Sequence, residues 1–311
     1  MTENQKVFID NYVKNKKGND EEFNLVLQKL TEFLSPFFED ISTKNNNSIF
    51  FNLKLFGDYC IDTNLDYSEP INLLIQTYYT NENDLNFSLK REQKGEIGKL
   101  LTDSFNISNN ILPTNQELLN LLYKFIVLKG MNYKVYLRKN CIYLKFLDYT
   151  FCLFFITNNH NNSFVLKGKK YDFNIDLLIQ NLIEKDKKTK GKFFKLIKFY
   201  KIIEKELAII EKPYYYASLN IYLYENLLYN LPDETFKNKH VYDNFIESYN
   251  FLQNAYKTKI LNDFINAEKN PLINDNYKLY EKPCITTKDI KLVLRNCKIF
   301  INNIDNILKK D

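Results

Sequence analysis

What this chain of 311 residues has little of already narrows its chemistry: seven glycines, seven prolines, two histidines, five cysteines and no tryptophan. The closest pair of glycines, Gly95 and Gly98 in KGEIGK, completes neither a P-loop nor a dinucleotide fingerprint, so Walker-type NTPase, kinase and Rossmann dehydrogenase classes drop out. Cys60, Cys141, Cys152, Cys284 and Cys297 never pair at the short spacing of zinc ligands, and only His160 and His240 could complement them, which makes a structural zinc site improbable. Both histidines lie in polar runs (NNHNN and KNKHVYDN) and are expected to be solvated, and no Ser or Cys sits in a nucleophile elbow, so triad hydrolysis lacks support. The longest apolar run, Phe151 to Ile156, falls far short of the roughly 20 residues of a membrane-spanning helix. The first ten residues, MTENQKVFID, lack the basic and apolar regions of a secretory signal, so a cytoplasmic location and reduced thiols are expected.

What is present is a large apolar and aromatic content, 45% and 15%, enough to build a sizeable core. Net charge is +5, yet Arg91, Arg138 and Arg295 are the only arginines among 43 basic residues. Abundant Lys, Asn, Ile, Phe and Tyr share A/T-rich codons, so the lysine excess is read mainly as genome bias, and a pI of 8.6 lies below the value of about 9 expected of a dedicated nucleic-acid binder.

Residues 21 to 41 carry apolar residues at helical spacing (Phe23, Val26, Leu27, Leu30, Phe33, Leu34), with Pro36 expected to kink or end the helix. Strands are predicted at SIFFNLKLF, ending before Gly57, at INLLIQTYY over 71 to 79, and at YKVYL, CIYLKFL and FCLFFIT, with a helix from about Thr114 to Lys129 between them. From Asp176 onward the pattern turns helical: 193 to 210, 219 to 231, about 241 to 256, and a last helix beginning at KDIK. Linker chemistry at 158 to 175 (NNHNNS, KGKKYD) suggests two domains, 1–170 and 171–311.

At this point a family resemblance emerges. LFGDYCIDTNLDYSEPINLLI resembles the nucleotidyltransferase motif hG[GS]…T…[DE]h[DE]hhh: Gly57 and Asp58 stand at its Gly-Ser, Thr63 at its Thr, Pro70 and Asn72 at its acidic pair. KGKFFKLIKFYKII is similar to the helical-domain element "K…lvRllKxW", with Lys198 and Lys201 at its basic positions. ASLNIYLYENLLYNLP is similar to "SyxlExLvYNvP" through Ser218, Glu225, Leu227, Tyr229, Asn230 and Pro232. The chain thus resembles the cyclic-oligonucleotide synthase and 2′-5′ oligoadenylate synthetase-like branch of the polymerase-beta superfamily. The resemblance implies an α+β fold, a nucleotidyltransferase-type mixed-sheet lobe followed by an all-helical lobe with a cleft between them.

The family's chemistry needs two Mg2+ ions held by two carboxylates facing one way on a strand and a third on a neighbouring strand. Here those positions read Pro70, Asn72 and, in YTFCLFFIT, Phe154, none of them acidic. A one-residue shift puts Glu69 first but Ile71 second, which still breaks the pair. Asp58, Asp62, Asp66 and Glu69 could form an unorthodox site or act as solvated turn residues. Asp58 opposes a phosphate where the family offers a hydroxyl, and Leu219 stands where it offers a base-stacking aromatic. Lys198 and Lys201 face a triphosphate or flank a solvated stripe; Ser218 and Glu225 serve substrate, helix capping or inter-helix hydrogen bonding; Tyr214, Tyr215 and Tyr216 stack on a base or fill core.

The expectation is a catalytically degenerate nucleotide- or RNA-binding regulatory module with no cofactor. The alternatives are an active transferase of NMP from NTP with Mg2+ and a rearranged acidic set, or a protein-interaction scaffold with a protein partner. Candidate nucleotide-binding residues are Gly57, Asp58, Thr63, Lys198, Lys201 and Ser218. The sequence sets no oligomeric state.

Overall fold

A computed structural model describes residues 1–14, 20–44, 48–56, 71–80, 115–129, 134–138, 141–157, 163–166, 169–172, 175–210, 223–267, 269–273 and 285–307. The chain divides into two compact units, one of Gly18–Phe56 with Tyr67–Asp172, the other of Met1–Lys17, Gly57–Asp66 and Phe173–Asp311.

The first unit is a five-stranded mixed sheet. Short stretches rich in apolar and aromatic residues form β1 (Ser48–Phe56), β2 (Ile71–Thr80), β3 (Val135–Leu137), β4 (Ile142–Phe146) and β5 (Tyr149–Thr157), in the order β1-β2-β5-β4-β3. Only β2 and β5 run parallel. Helix α2 (Asp20–Lys44) and helix α3 (Asn115–Leu128) cover one face. Phe38 of α2 stacks on Phe51 at 3.9 Å between ring centroids and meets Phe155, while Phe33 meets both Phe125 of α3 and Phe146. That face therefore takes Phe51, Leu73, Ile75, Phe151, Leu153 and Phe155, five of them buried and Phe51 half-buried. The strands at 49–56, 71–78 and 149–157 share one mixed sheet, as the sequence led us to expect.

Three features differ from the sequence reading. Pro36 does not end α2, which runs on to Lys44. Phe37 and Phe38, directly after it, are fully buried, and Thr31 and Ser35 donate their hydroxyls to the carbonyls of Leu27 and Thr31, so packing outweighs the lost amide donor. The stretch read as linker contains a hairpin, β6 (Ser163–Leu166) paired antiparallel with β7 (Lys169–Asp172). An unforeseen helix, α1 (Glu3–Lys14), clusters with the second unit rather than with the sheet.

That second unit holds α1, α4 (Ile175–Lys188), α5 (Lys192–Ile210), α6 (Leu223–Tyr229), α7 (Val241–Thr258) and α8 (Thr287–Ile307). Edge-to-face contacts join Phe199 of α5, Phe245 of α7 and Phe300 of α8 at 5.2 to 5.9 Å. The Thr189–Gly191 turn between α4 and α5 places Lys190 and Gly191 at positive φ, +55° and +77°. Asp186 and Thr189 cap α5 there, accepting the Phe194 and Phe193 amides.

Candidate functional site

In the sheet unit the register decides which residues share the face opposite α2 and α3. Because side chains alternate along a strand, Lys54, Phe56, Asn72, Leu74, Tyr143, Cys152 and Phe154 all belong to it. One cross-strand row runs Phe56, Asn72, Cys152, Tyr143, Tyr136; the next contains Lys54, Leu74 and Phe154. The structure therefore brings Asn72 and Phe154 to one face of adjacent strands, one row apart. Gly57, Asp58, Asp62, Thr63, Asp66, Glu69, Pro70, Tyr214 to Tyr216, Ser218 and Leu219 lie outside the described residues.

The chemistry of this face is apolar and thiol-rich. Cys152 and Leu74 are buried, and Cys152 exchanges a hydrogen bond with the Cys141 thiol, an interaction that together with burial pushes its pKa well up. Burial and the two neighbouring thiols push the Tyr143 phenol up to about 12. Among the described residues no cluster of three His, Cys, Asp or Glu side chains could hold a metal ion. An amide, a thiol and a phenyl ring, with Lys54 in the adjacent row, do not fit a pair of Mg2+ ions, which require hard oxygen donors and at least one or two carboxylates.

In the helical unit two expected residues meet. Lys201 of α5 donates to Glu225 of α6 at 2.6 Å, the carboxylate fully buried and the lysine side chain 12% exposed. Tyr224 adds a second tie between these helices by donating to Glu204 at 2.8 Å, and burial with that carboxylate pushes its phenol well above its ordinary value. Lys198, one turn before Lys201, is buried at 6% exposure. Neither lysine lies on a solvated stripe, which corrects one of the two readings; helical phase alone could not show that α6 covers this side of α5. Glu225 makes the inter-helix bond that was one of its expected roles.

The YNLP segment ending that motif is an anchor. Asn230 donates to the carbonyls of Asn226 and Ile265 and accepts the Ile265 amide, while Asn226 accepts the Ala267 amide at 3.0 Å. These bonds give the Ile265 and Ala267 amides and the Ile265 carbonyl their partners in the segment after α7. His240 is a second correction: it is 4% exposed, its Nδ1 2.7 Å from Asp10 and its Nε2 2.7 Å from Glu3. The partners come from α1, about 230 residues away in sequence, so no local pattern announces them.

Comparison with known proteins agrees with this architecture. Residues 180–302 match the profile of the cGAS/DncV-like nucleotidyltransferase C-terminal helical domain. Among solved structures, the Elizabethkingia meningoseptica CdnE cyclic dinucleotide synthase with GTP and Apcpp shares 14% identity at TM-score 0.59, covering 87% of this chain and 91% of that one. The Rhodothermus marinus CdnE c-UMP-AMP synthase with Apcpp and Upnpp shares 14% at TM-score 0.59, covering 97% of each. The Escherichia coli MS115-1 CdnC:HORMA-deltaN complex shares 13% at TM-score 0.54, covering 92% and 83%. No curated protein matches by sequence. Sheet and helices together define a nucleotidyltransferase fold. The chain is a nucleotidyltransferase-fold protein whose helical unit matches, over residues 180–302, the C-terminal helical domain of cGAS/DncV-like nucleotidyltransferases. Among the described residues, no helix is long and apolar enough to cross a membrane.

Proposed function

We propose that this protein is a catalytically degenerate member of its fold, a nucleotide-binding regulatory module with no metal cofactor, its sheet domain ending near residue 170. The observation that carries the reading is the sheet face itself: Asn72 and Phe154, where the family resemblance expects carboxylates, share it one row apart, with Lys54 in the row of Phe154. Without those acids, neither charge stabilisation by metal nor a metal-activated nucleophile is available.

Nucleotide, rather than RNA or a protein, is favoured as ligand because the CdnE structures of the same fold were solved with nucleotides and analogues. Gly57, Thr63, Ser218, Lys198 and Lys201 would contact it, with Asp58 as an opposing anion. Lys201 already spends much of its charge on Glu225, so attraction to phosphate is weak and salt-sensitive. Purified protein incubated with Mg2+ or Mn2+ and labelled NTPs should yield no oligonucleotide, while calorimetry should show weak binding independent of Mg2+. A cyclic or linear product abolished by Asp58→Ala, Asp62→Ala or Glu69→Ala would overturn this and make the loop acids a working metal site. A protein partner is the second reading, supported by the CdnC structure in complex with HORMA.

A further inference from the structure

Away from the residues just discussed, the helical unit has a concavity whose charge is almost all of one sign. Lys14 of α1, Lys190 of the α4–α5 turn, Lys192 and Lys195 of α5, and Lys239 before α7 line it, with Asp10 the one acid in its wall. Asp10 faces elsewhere: its Oδ2 meets His240 and its Oδ1 accepts the Val241 amide. Lys14, Lys190 and Lys195 pair with no carboxylate among the described residues. Lys192 donates to the carbonyls of Lys237 and Asn238, which fix its position without neutralising it, and Lys239 has only a long 3.7 Å contact to Glu3.

Five cations around one hollow make a site of high positive potential that a multivalent anion complements. The framework is also built: the left-handed Lys190–Gly191 pair is pinned by the Gly191 amide on the Asp186 carbonyl at 2.9 Å, and α1 is held by Lys6 on Asp243 at 2.7 Å. We propose that this concavity binds a compact polyphosphate, several phosphate groups clustered on a small scaffold. Lysines converging from four segments on one hollow suit clustered phosphates better than the linear track of a nucleic-acid backbone.

The test is calorimetry of the full chain with sodium tripolyphosphate, without divalent cations, for the wild type, a Lys14→Gln/Lys195→Gln/Lys239→Gln variant and the matching Lys→Arg variant. All three lysines are exposed, so folding should survive, as an unchanged melting temperature would show. One saturable site is expected, weakened at least about tenfold by the Gln set, retained by the Arg set and weakened by about 0.3 M salt. Equal affinity in the Gln set, no saturable binding at all, or tighter lysine-dependent binding of a short single-stranded RNA than of tripolyphosphate overturns the proposal.

Discussion

The two units are held together by different physics. Of the ten buried polar residues among those described, nine belong to the helical unit and one, Thr77, to the sheet. The sheet is an aromatic stack against two helices, Phe33, Phe37 and Phe38 against Phe51, Phe125, Phe146 and Phe155. The helical unit instead specifies its geometry with Lys201–Glu225, Tyr224–Glu204, Asn226 with Asn230, and His240. Apolar packing tolerates many sequences of similar volume, whereas a buried polar group demands one partner at one distance. The family profile falls on residues 180–302, within the polar-specified unit.

That contrast can be broken at its strongest points first. Lys201→Ala should cost about 3–5 kcal/mol, because it strips a buried carboxylate of its ion pair, and Lys201→Met with Glu225→Leu should recover most of that. Urea unfolding of the three proteins checks both. Phe38→Ala should cost a similar ~3–5 kcal/mol by leaving a cavity, but Phe38→Leu should recover much of it, since the sheet needs volume rather than a named partner. Equal rescue by volume alone at Lys201 would erase the distinction between the units.

Smaller changes sharpen it. Tyr200→Phe removes a 2.8 Å hydrogen bond to Ser248 while that hydroxyl keeps the Phe245 carbonyl, so about 1 kcal/mol should be lost in the same assay. Asp58→Ala should raise ATP affinity by roughly 1 kcal/mol, the interaction of one solvated charge about 4 Å from a phosphate, as measured by calorimetry. The mildest effect concerns pH. Hydrogen bonds to Asp10 and then Glu3 raise the His240 pKa above its ordinary value of 6.5, so its stabilisation is full below that value and fades as pH rises through the folded-state pKa. The same bond to His240 lowers the Glu3 pKa, so that share is present above 4.5 and fades as pH falls. The melting temperature of the wild type, relative to His240→Asn, should therefore decline as pH rises above about 6.5.

Reading the sequence went furthest where burial is two-faced and local. Short apolar runs in INLLIQTYY and FCLFFIT located β2 and β5, and the family resemblance singled out Asn72 and Phe154, which the register brings to one face one row apart. It missed α1, whose Val7 and Phe8 are exposed and whose buried side is only Ile9 and Val13. The capping pair was there to be seen: Thr2 and Gln5 exchange bonds, the Thr2 amide to Gln5 Oε1 at 2.8 Å and the Gln5 amide to Thr2 Oγ1 at 3.3 Å. The β6–β7 hairpin was missed because its strands are four residues each and β7, KKYD, is polar, the signature of a loop. Both lysines of α5 and Glu225 were singled out, yet their burial and pairing depend on where α6 folds back, which no local spacing contains.

The place of α1 has a kinetic side. Its contacts, Lys6 with Asp243, Asp10 and Glu3 with His240, and Tyr12 with Glu206, span from 194 to 237 residues. During synthesis at about 5–20 residues per second, the first helix made waits on the order of tens of seconds for its partners to emerge. The described elements of the sheet unit meanwhile all lie in sequence between α1 and the helices that begin at Ile175. The ribosome therefore delivers the described strands of the sheet while α1 still lacks the helices it packs on, and closing that packing means joining chain segments that long since parted. Moving α1 to the C-terminus through a short linker would make that closure local and should speed its formation.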